Sequence, residues 1–169
     1  MNMKQIVAVL GIFALLAIIA YPAFSTGSVS VIVHSLKAQN ADHIYVTIND
    51  VWAHRAHQTS DQGWELISNQ SQTIDLTALT GSNATLGKGT LSVADYDMVK
   101  INVSNVTWVY SKNSTQLQVE SPVMFANVEF TVTSGKQSSI TLVLTGHEEE
   151  ISGTKFFLSQ LNATATLRS

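Results

Sequence analysis

Apolar and polar residues alternate with a period of two through most of the chain after residue 25. The segment 123–132 shows the pattern best, because its apolar residues all fall on one face of an extended strand. These residues are Met124, Ala126, Val128, Phe130 and Val132. Clusters of Gly, Asn, Ser and Asp separate such segments, and none has the 3.6-residue period of a helix. The pattern therefore predicts an all-β fold, a single β-sandwich.

Nine segments carry the strand pattern within one domain. Their bounds are 28–36, 43–54, 64–68, 73–77, 98–110, 116–120, 123–132, 138–145 and 156–167. The alternation changes phase between Val103 and Val106, and again between Ile48 and Val51. A β-bulge at each position would keep the apolar residues on the inward face. We therefore expect about seven to nine strands and two bulges.

Residues 1–25 predict an export segment ahead of the domain 26–169. An apolar run over 6–20 follows Lys4, and Ala23-Phe24-Ser25 has the small-x-small pattern of a cleavage site. This arrangement is typical of a secretory signal peptide. The alternative is a retained anchor helix, which would contact the membrane through residues 6–24. In both cases we expect the domain outside the cell or at its surface.

Composition excludes several classes of function. The chain carries nine Lys and Arg against twelve Asp and Glu, for a net charge of −3, so nucleic acid is not an expected partner. It has no cysteine, which excludes disulfides, iron–sulfur clusters and thiol catalysis. An exported domain without disulfides depends on its core and its strand pairing for stability. No cofactor is expected.

Six Asn-x-Ser/Thr sequons predict N-linked glycans on an exported chain. They begin at Asn69, Asn83, Asn102, Asn105, Asn113 and Asn162. The bulge after Val103 would allow Asn102 and Asn105 both to face solvent. The alternative is that these asparagines are ordinary polar positions on strand faces.

An ordered set of features over residues 28–110 resembles an uncharacterised domain family of secreted and lipid-anchored bacterial and archaeal proteins. The features are a valine-rich strand ending at His54, a Gly63-Trp64 turn, the Leu-x-x-Leu segment 76–79 and the Gly-x-Gly-x-Leu-x-x-x-x-Tyr segment 87–96. The resemblance implies an immunoglobulin-like or prealbumin-like sandwich outside the cell, and it implies no reaction. Bacterial members often carry a lipobox cysteine, which this chain lacks.

A weaker resemblance is architectural. A small, cysteine-free sandwich with several sequons behind a signal peptide is similar to the subunits of archaeal thread filaments, a pilus-like assembly. Those subunits join head to tail by donating a strand to the next copy. Here the candidate donor strand is 26–36, with the apolar residues Val29, Val31, Val33 and Leu36. The alternative is that this strand pairs within its own domain.

Three histidines are candidate metal ligands. His54 and His57 flank Arg55-Ala56, and His147 precedes the acidic run 148–150. Spacing of i,i+3 places two strand side chains on opposite faces, so His54 and His57 would need a turn between them. No specific metal site is therefore expected. The acidic run is predicted to form a loop whose charges keep a sheet edge solvated.

Catalysis has little support in the sequence. A Gly-x-Ser-x-Gly elbow is missing, and 87–90 lacks the spacing of a phosphate-binding loop. Asp95 and Asp97 flank Tyr96, but paired carboxylates alone are common in turns. We therefore do not expect an enzyme.

Trp52, Trp64 and Trp108 are candidates for a sugar-stacking platform. Trp64 follows a turn glycine and is expected to plug one end of the sandwich, while Trp52 is expected on the face opposite Val51. The residues together predict an exported, glycosylated surface protein with a structural or adhesive role. The leading hypothesis is a filament subunit linked through copies of itself, and the alternative is an anchored monomer that binds carbohydrate or another surface protein.

Overall fold

The computed structural model describes residues 25–36 and 41–168, and within them every regular element is a strand. The ten strands are β1 (Thr26–Ser35), β2 (His43–Arg55), β3 (Trp64–Ser68), β4 (Gln72–Asp75), β5 (Ala84–Ser92), β6 (Ala94–Tyr110), β7 (Asn113–Val119), β8 (Val123–Val132), β9 (Gln137–Ile151) and β10 (Thr154–Arg168). The predicted all-β class is confirmed. Residues 1–24 of the predicted signal or anchor segment lie outside the described residues. Among the described residues, no helix is long and apolar enough to cross a membrane.

The strands form two layers that join into a nearly closed barrel. Hydrogen-bonded neighbours follow the order β3-β2-β6-β7-β10-β9-β1-β5, while β4 also pairs with β2 and β8 also pairs with β6. A short parallel pairing of Phe156 and Phe157 with Gln118 and Val119 links the layers at one side. On the other side β3 and β5 lie against each other. Apolar side chains from both layers fill the interior.

Both predicted bulges are present where β2 pairs with β6. Thr47 pairs with Asn105 while Ile48 pairs with Val103, so Ser104 is the extra residue on β6. Asp50 then pairs with Asn102, which leaves Asn49 as the extra residue on β2. The inward residues on either side of both bulges are buried, as the alternation required. These residues are Ile44, Val46, Ile48, Val51, Ala53, Val99, Ile101, Val103, Val106 and Trp108.

Strand β1 lies inside its layer and pairs on both sides. It is antiparallel to β5 and parallel to β9, with Val31 opposite Gly87 on one side and Ile140 on the other. Val29, Val31 and Val33 are buried in the core of their own chain, whereas Leu36 is 57% exposed. In this structure the candidate donor strand therefore pairs in cis.

The sequence pattern predicted nine of the ten strands and missed β5. Its glycines explain why the pattern missed this strand and how the strand packs against β3. A Cβ atom on Gly89 would lie 2.1 Å from the Ile67 carbonyl oxygen of β3, and one on Gly87 would lie 2.3 Å from Ser68 Cβ. Only glycine leaves room for β5 to approach β3 this closely.

The predicted loop at 148–150 is wrong. These three glutamates continue β9, where Glu148 pairs with Phe157 and Glu149 with Phe156 of β10. The Lys155 ammonium donates a 2.7 Å hydrogen bond to Glu148, which offsets part of the repulsion within the run. Consecutive charges hide the alternation here, because they occupy both faces of β9.

Candidate functional site

Two cross-strand rows lie on the outward face of the layer that contains β2 and β6. The pairing register places Leu66, Trp52, Lys100 and Phe125 in one row across β3, β2, β6 and β8. The second row, in the same strand order, contains Trp64, His54, Met98 and Asn127. Phe125 is 53% exposed. We call Leu66, Trp52, Trp64, Phe125 and Lys100 the aromatic patch.

Trp64 connects the two rows. Its ring lies 4.9 Å from the His54 ring and 5.8 Å from the Phe125 ring, measured between centroids. The indole N–H donates a 3.0 Å hydrogen bond to the Ser60 carbonyl oxygen. Trp64 therefore lies on the outer face of the sheet, and the prediction that it plugs the sandwich end is wrong.

His54 is held beneath Trp64 by two acceptors. Its Nδ1 lies 2.7 Å from Asp97 Oδ1 and its Nε2 lies 3.0 Å from the Thr59 carbonyl oxygen. A carbonyl and a carboxylate accept hydrogen bonds, so the two contacts favour a ring with a proton on both nitrogens. Burial lowers the pKa of His54, but these hydrogen bonds and the charge of Asp97 outweigh it, and the pKa is raised above 6.5. Buried His54 thus ties the turn after β2 to β6, and its surroundings favour the imidazolium form.

This arrangement predicts a pH-dependent stability. Because the folded pKa of His54 lies above the unfolded value, its contribution is fully present below about pH 6.5 and is lost as the pH rises through the folded pKa. Urea unfolding between about pH 5.5 and 8.5 should show the stability advantage of the wild type over His54→Gln shrinking as the pH rises. His57→Gln, in the exposed turn, should keep the wild-type profile. Parallel profiles for the wild type and His54→Gln would contradict this role.

A second ionic contact fixes β3, which carries Trp64 and Leu66. Arg55 Nε donates to one carboxylate oxygen of Glu65, and the backbone N–H of Ser92 in β5 donates to the other at 3.0 Å. Burial raises the pKa of Glu65, but the hydrogen bonds from Ser92 and Arg55 and the Arg55 charge outweigh it, so the pKa lies below its usual value. The contact joins β2, β3 and β5 at the place where the barrel closes.

A cleft of about 920 Å³ opens beside the aromatic patch, between strands β8 and β10. Trp64 and Phe125 form its aromatic wall, and Leu161 contributes an aliphatic surface. Its polar lining comes from Gln58, Ser60, Asp97, Asn127 and Asn162. The cleft thus combines flat apolar surface with amide, hydroxyl and carboxylate groups.

The structure separates the three candidate metal ligands. His54 is engaged through both nitrogens, His57 lies in the turn after β2 with a φ of 65°, and His147 lies on β9 beside Glu149 at 4.0 Å. Within the described ranges, His, Asp and Glu do not gather in any group of three or more that could hold a metal ion. Both ring nitrogens of His54 already have hydrogen-bond partners, so a metal ion would have to displace one of them.

Four of the six sequon asparagines are exposed, namely Asn69, Asn83, Asn113 and Asn162. Asn102 and Asn105 are half-buried, so the expectation that the bulge frees both of them for solvent is wrong. The Asn102 amide donates a 2.5 Å hydrogen bond to Asp50 Oδ1, while Asn105 Oδ1 is buried without a hydrogen-bond partner. Asn162 borders the cleft.

Comparison with known protein families assigns the chain to one of them. A family described as "Domain of unknown function (DUF4382)" matches residues 26–149. The chain belongs to this family. The match agrees with the predicted resemblance to an uncharacterised domain family. No curated protein sequence matches significantly.

One solved structure is similar to this DUF4382 domain at low identity. It is a crystal structure of a "putative cell adhesion protein" from Bacteroides eggerthii, 13% identical, with a TM-score of 0.36. The match covers 82% of this chain and 56% of that chain, so the chain spans little more than half of that protein.

The sequence predicted some residues of the aromatic patch and missed others. Trp52 and Trp64 share one surface, but Trp108 is buried in the core at 6% exposed and cannot join them. Phe125 and Lys100 were missed. The signal for Phe125 was present, because it is an apolar residue in phase with Asn127 and Glu129 on the polar face of its strand. Lys100 could be placed only once β6 was known to lie between β2 and β8.

Proposed function

We propose that this protein is an exported adhesion domain, not an enzyme, that binds carbohydrate through the cleft and the aromatic patch. The observation that carries the proposal is the exposed Phe125 ring beside Trp64, at the mouth of a cleft with a polar lining. Location outside the cell rests on the predicted export segment in residues 1–25.

The chemistry of the cleft suits a sugar ring. A pyranose presents C–H groups on its faces and hydroxyl groups around its rim. Aromatic side chains supply flat apolar area for the faces at a low cost in conformational entropy. Amides, hydroxyls and carboxylates satisfy the rim, because each can donate to or accept from a hydroxyl group. Asn127 and Asn162 supply such polar groups in the cleft that Phe125 and Leu161 also line.

A glycan array probed with the full-length protein tests the proposal. We expect binding to a subset of glycans, and we expect Phe125→Ala to weaken it about tenfold because an aromatic stacking surface is removed. Tyr110→Ala is the matched control, since Tyr110 is 57% exposed at the far end of β6. Enzymatic deglycosylation of the protein beforehand keeps any glycan on Asn162 out of the cleft.

The proposal fails if the array shows no binding, or if Phe125→Ala binds as tightly as the wild type. Trp64→Ala supplies a second variant, with circular dichroism to confirm that it folds. Loss of binding in Tyr110→Ala together with Phe125→Ala would point to a surface elsewhere.

The filament hypothesis and the use of the six sequons stay predictions. A head-to-tail filament through 26–36 requires β1 to leave its place between β5 and β9 and to fill the same place in another copy. N-linked glycans would sit most easily on the four exposed asparagines. Glycopeptide mass spectrometry of the native protein would assign them.

A further inference from the structure

Lys100 occupies the centre of the aromatic patch. It pairs with Trp52 on one side and Phe125 on the other in the strand register. Its ammonium nitrogen lies 4.3 Å from the centroid of the Trp64 ring and 5.1 Å from that of Trp52. Cation–π contacts with two indole rings therefore hold the Lys100 ammonium group beside the exposed ring of Phe125.

This charge lacks an acidic partner. Among the ion pairs of the described residues none involves Lys100, so no carboxylate oxygen lies within 4.0 Å of its ammonium group. The acidic groups nearby are already engaged. Asp97 pairs with His54, and Asp50 accepts hydrogen bonds from Trp52 at 2.9 Å and from Asn102. The aromatic patch therefore presents one unneutralised cation.

We propose that the aromatic patch selects anionic saccharides, with a ring carboxylate or sulfate on Lys100 and the C–H face of the same sugar on Phe125. The inference rests on the proposed function and adds the ligand class. An ammonium held over indole rings keeps donors free for an anion, because the ring faces attract its charge without accepting all of its hydrogens. A charged donor and a charged acceptor then form the stronger kind of hydrogen bond.

The test compares two matched probes, a hexamer of galacturonic acid and its fully methyl-esterified form. The two differ in charge and share the sugar ring. We expect the full-length protein to bind the acid about tenfold more tightly than the ester at low salt. Lys100→Met should bring the two affinities together, because it keeps an apolar stem over the indoles and removes the charge. Lys100→Arg should preserve the preference.

The outcomes separate this inference from the proposed function. Equal affinity for acid and ester in the wild type, or an unchanged ratio in Lys100→Met, would overturn the role of Lys100. The proposed function would then stand if Phe125→Ala still weakened binding to both probes or to a neutral glycan on the array. Absence of binding to every glycan would overturn both.

Discussion

Gly89→Val is expected to destabilise the fold by about 3 kcal/mol or more, a large part of the roughly 5–15 kcal/mol that holds a domain together. The reason is steric. A Cβ atom at this position would lie 2.1 Å from the Ile67 carbonyl oxygen, which belongs to the backbone of β3 and cannot rotate away. Strand β5 or β3 would have to move, and the barrel would open where it now closes.

Urea unfolding of Gly89→Val measures this loss, with Lys88→Val as the control. Lys88 is exposed on the same strand, so adding a valine there should change the stability by about 0.5 kcal/mol or less. Gly87→Ala should also destabilise, because its Cβ would contact Ser68. A Gly89→Val protein as stable as the wild type would show that β3 and β5 do not approach each other in this way.

Val31→Asp is expected to prevent folding at ordinary temperature. Val31 is fully buried between β5 and β9, and an isolated buried carboxylate costs several kcal/mol. Circular dichroism should show loss of the β-sheet signal, whereas Ser28→Asp on the exposed side of the same strand should keep it. A folded Val31→Asp protein would contradict the placement of β1 in the core.

An engineered disulfide decides whether β1 acts in cis or in trans. Ser28 pairs with Thr90 across the antiparallel β1–β5 ladder, at a separation that suits a disulfide, and both side chains are exposed. The chain has no other cysteine to compete. Oxidised Ser28→Cys/Thr90→Cys should run as a monomer on a non-reducing gel. A ladder of covalent oligomers would instead support strand donation in a filament.

Much of the fold could be predicted where the alternation was complete. The bounds of β3 and β8 follow from it directly, and the two bulges follow from its changes of phase. Strand β5 was hidden because Gly87 and Gly89 replace the side chains that would have marked a face. The acidic end of β9 was hidden because charges occupied both of its faces.

The candidate site depends on register between strands far apart in sequence. Trp64 and Trp52 meet Lys100 and Phe125 only because β3, β2, β6 and β8 are neighbours in one layer. A slip of one residue in any pair would turn one of these side chains inward. Sequence periodicity predicts which residues share a face of one strand, but it does not predict the order of the strands in the sheet.

The three tryptophans allow the most direct test of carbohydrate binding through the aromatic patch. In an NMR titration of the full-length protein with the glycan that binds best on the array, three indole N–H signals report three sites. We predict that the signals of Trp52 and Trp64 shift in a saturable way while that of Trp108, buried in the core, stays unchanged. Saturable binding that leaves Trp52 and Trp64 unmoved would contradict the claim that this protein binds carbohydrate through its aromatic patch.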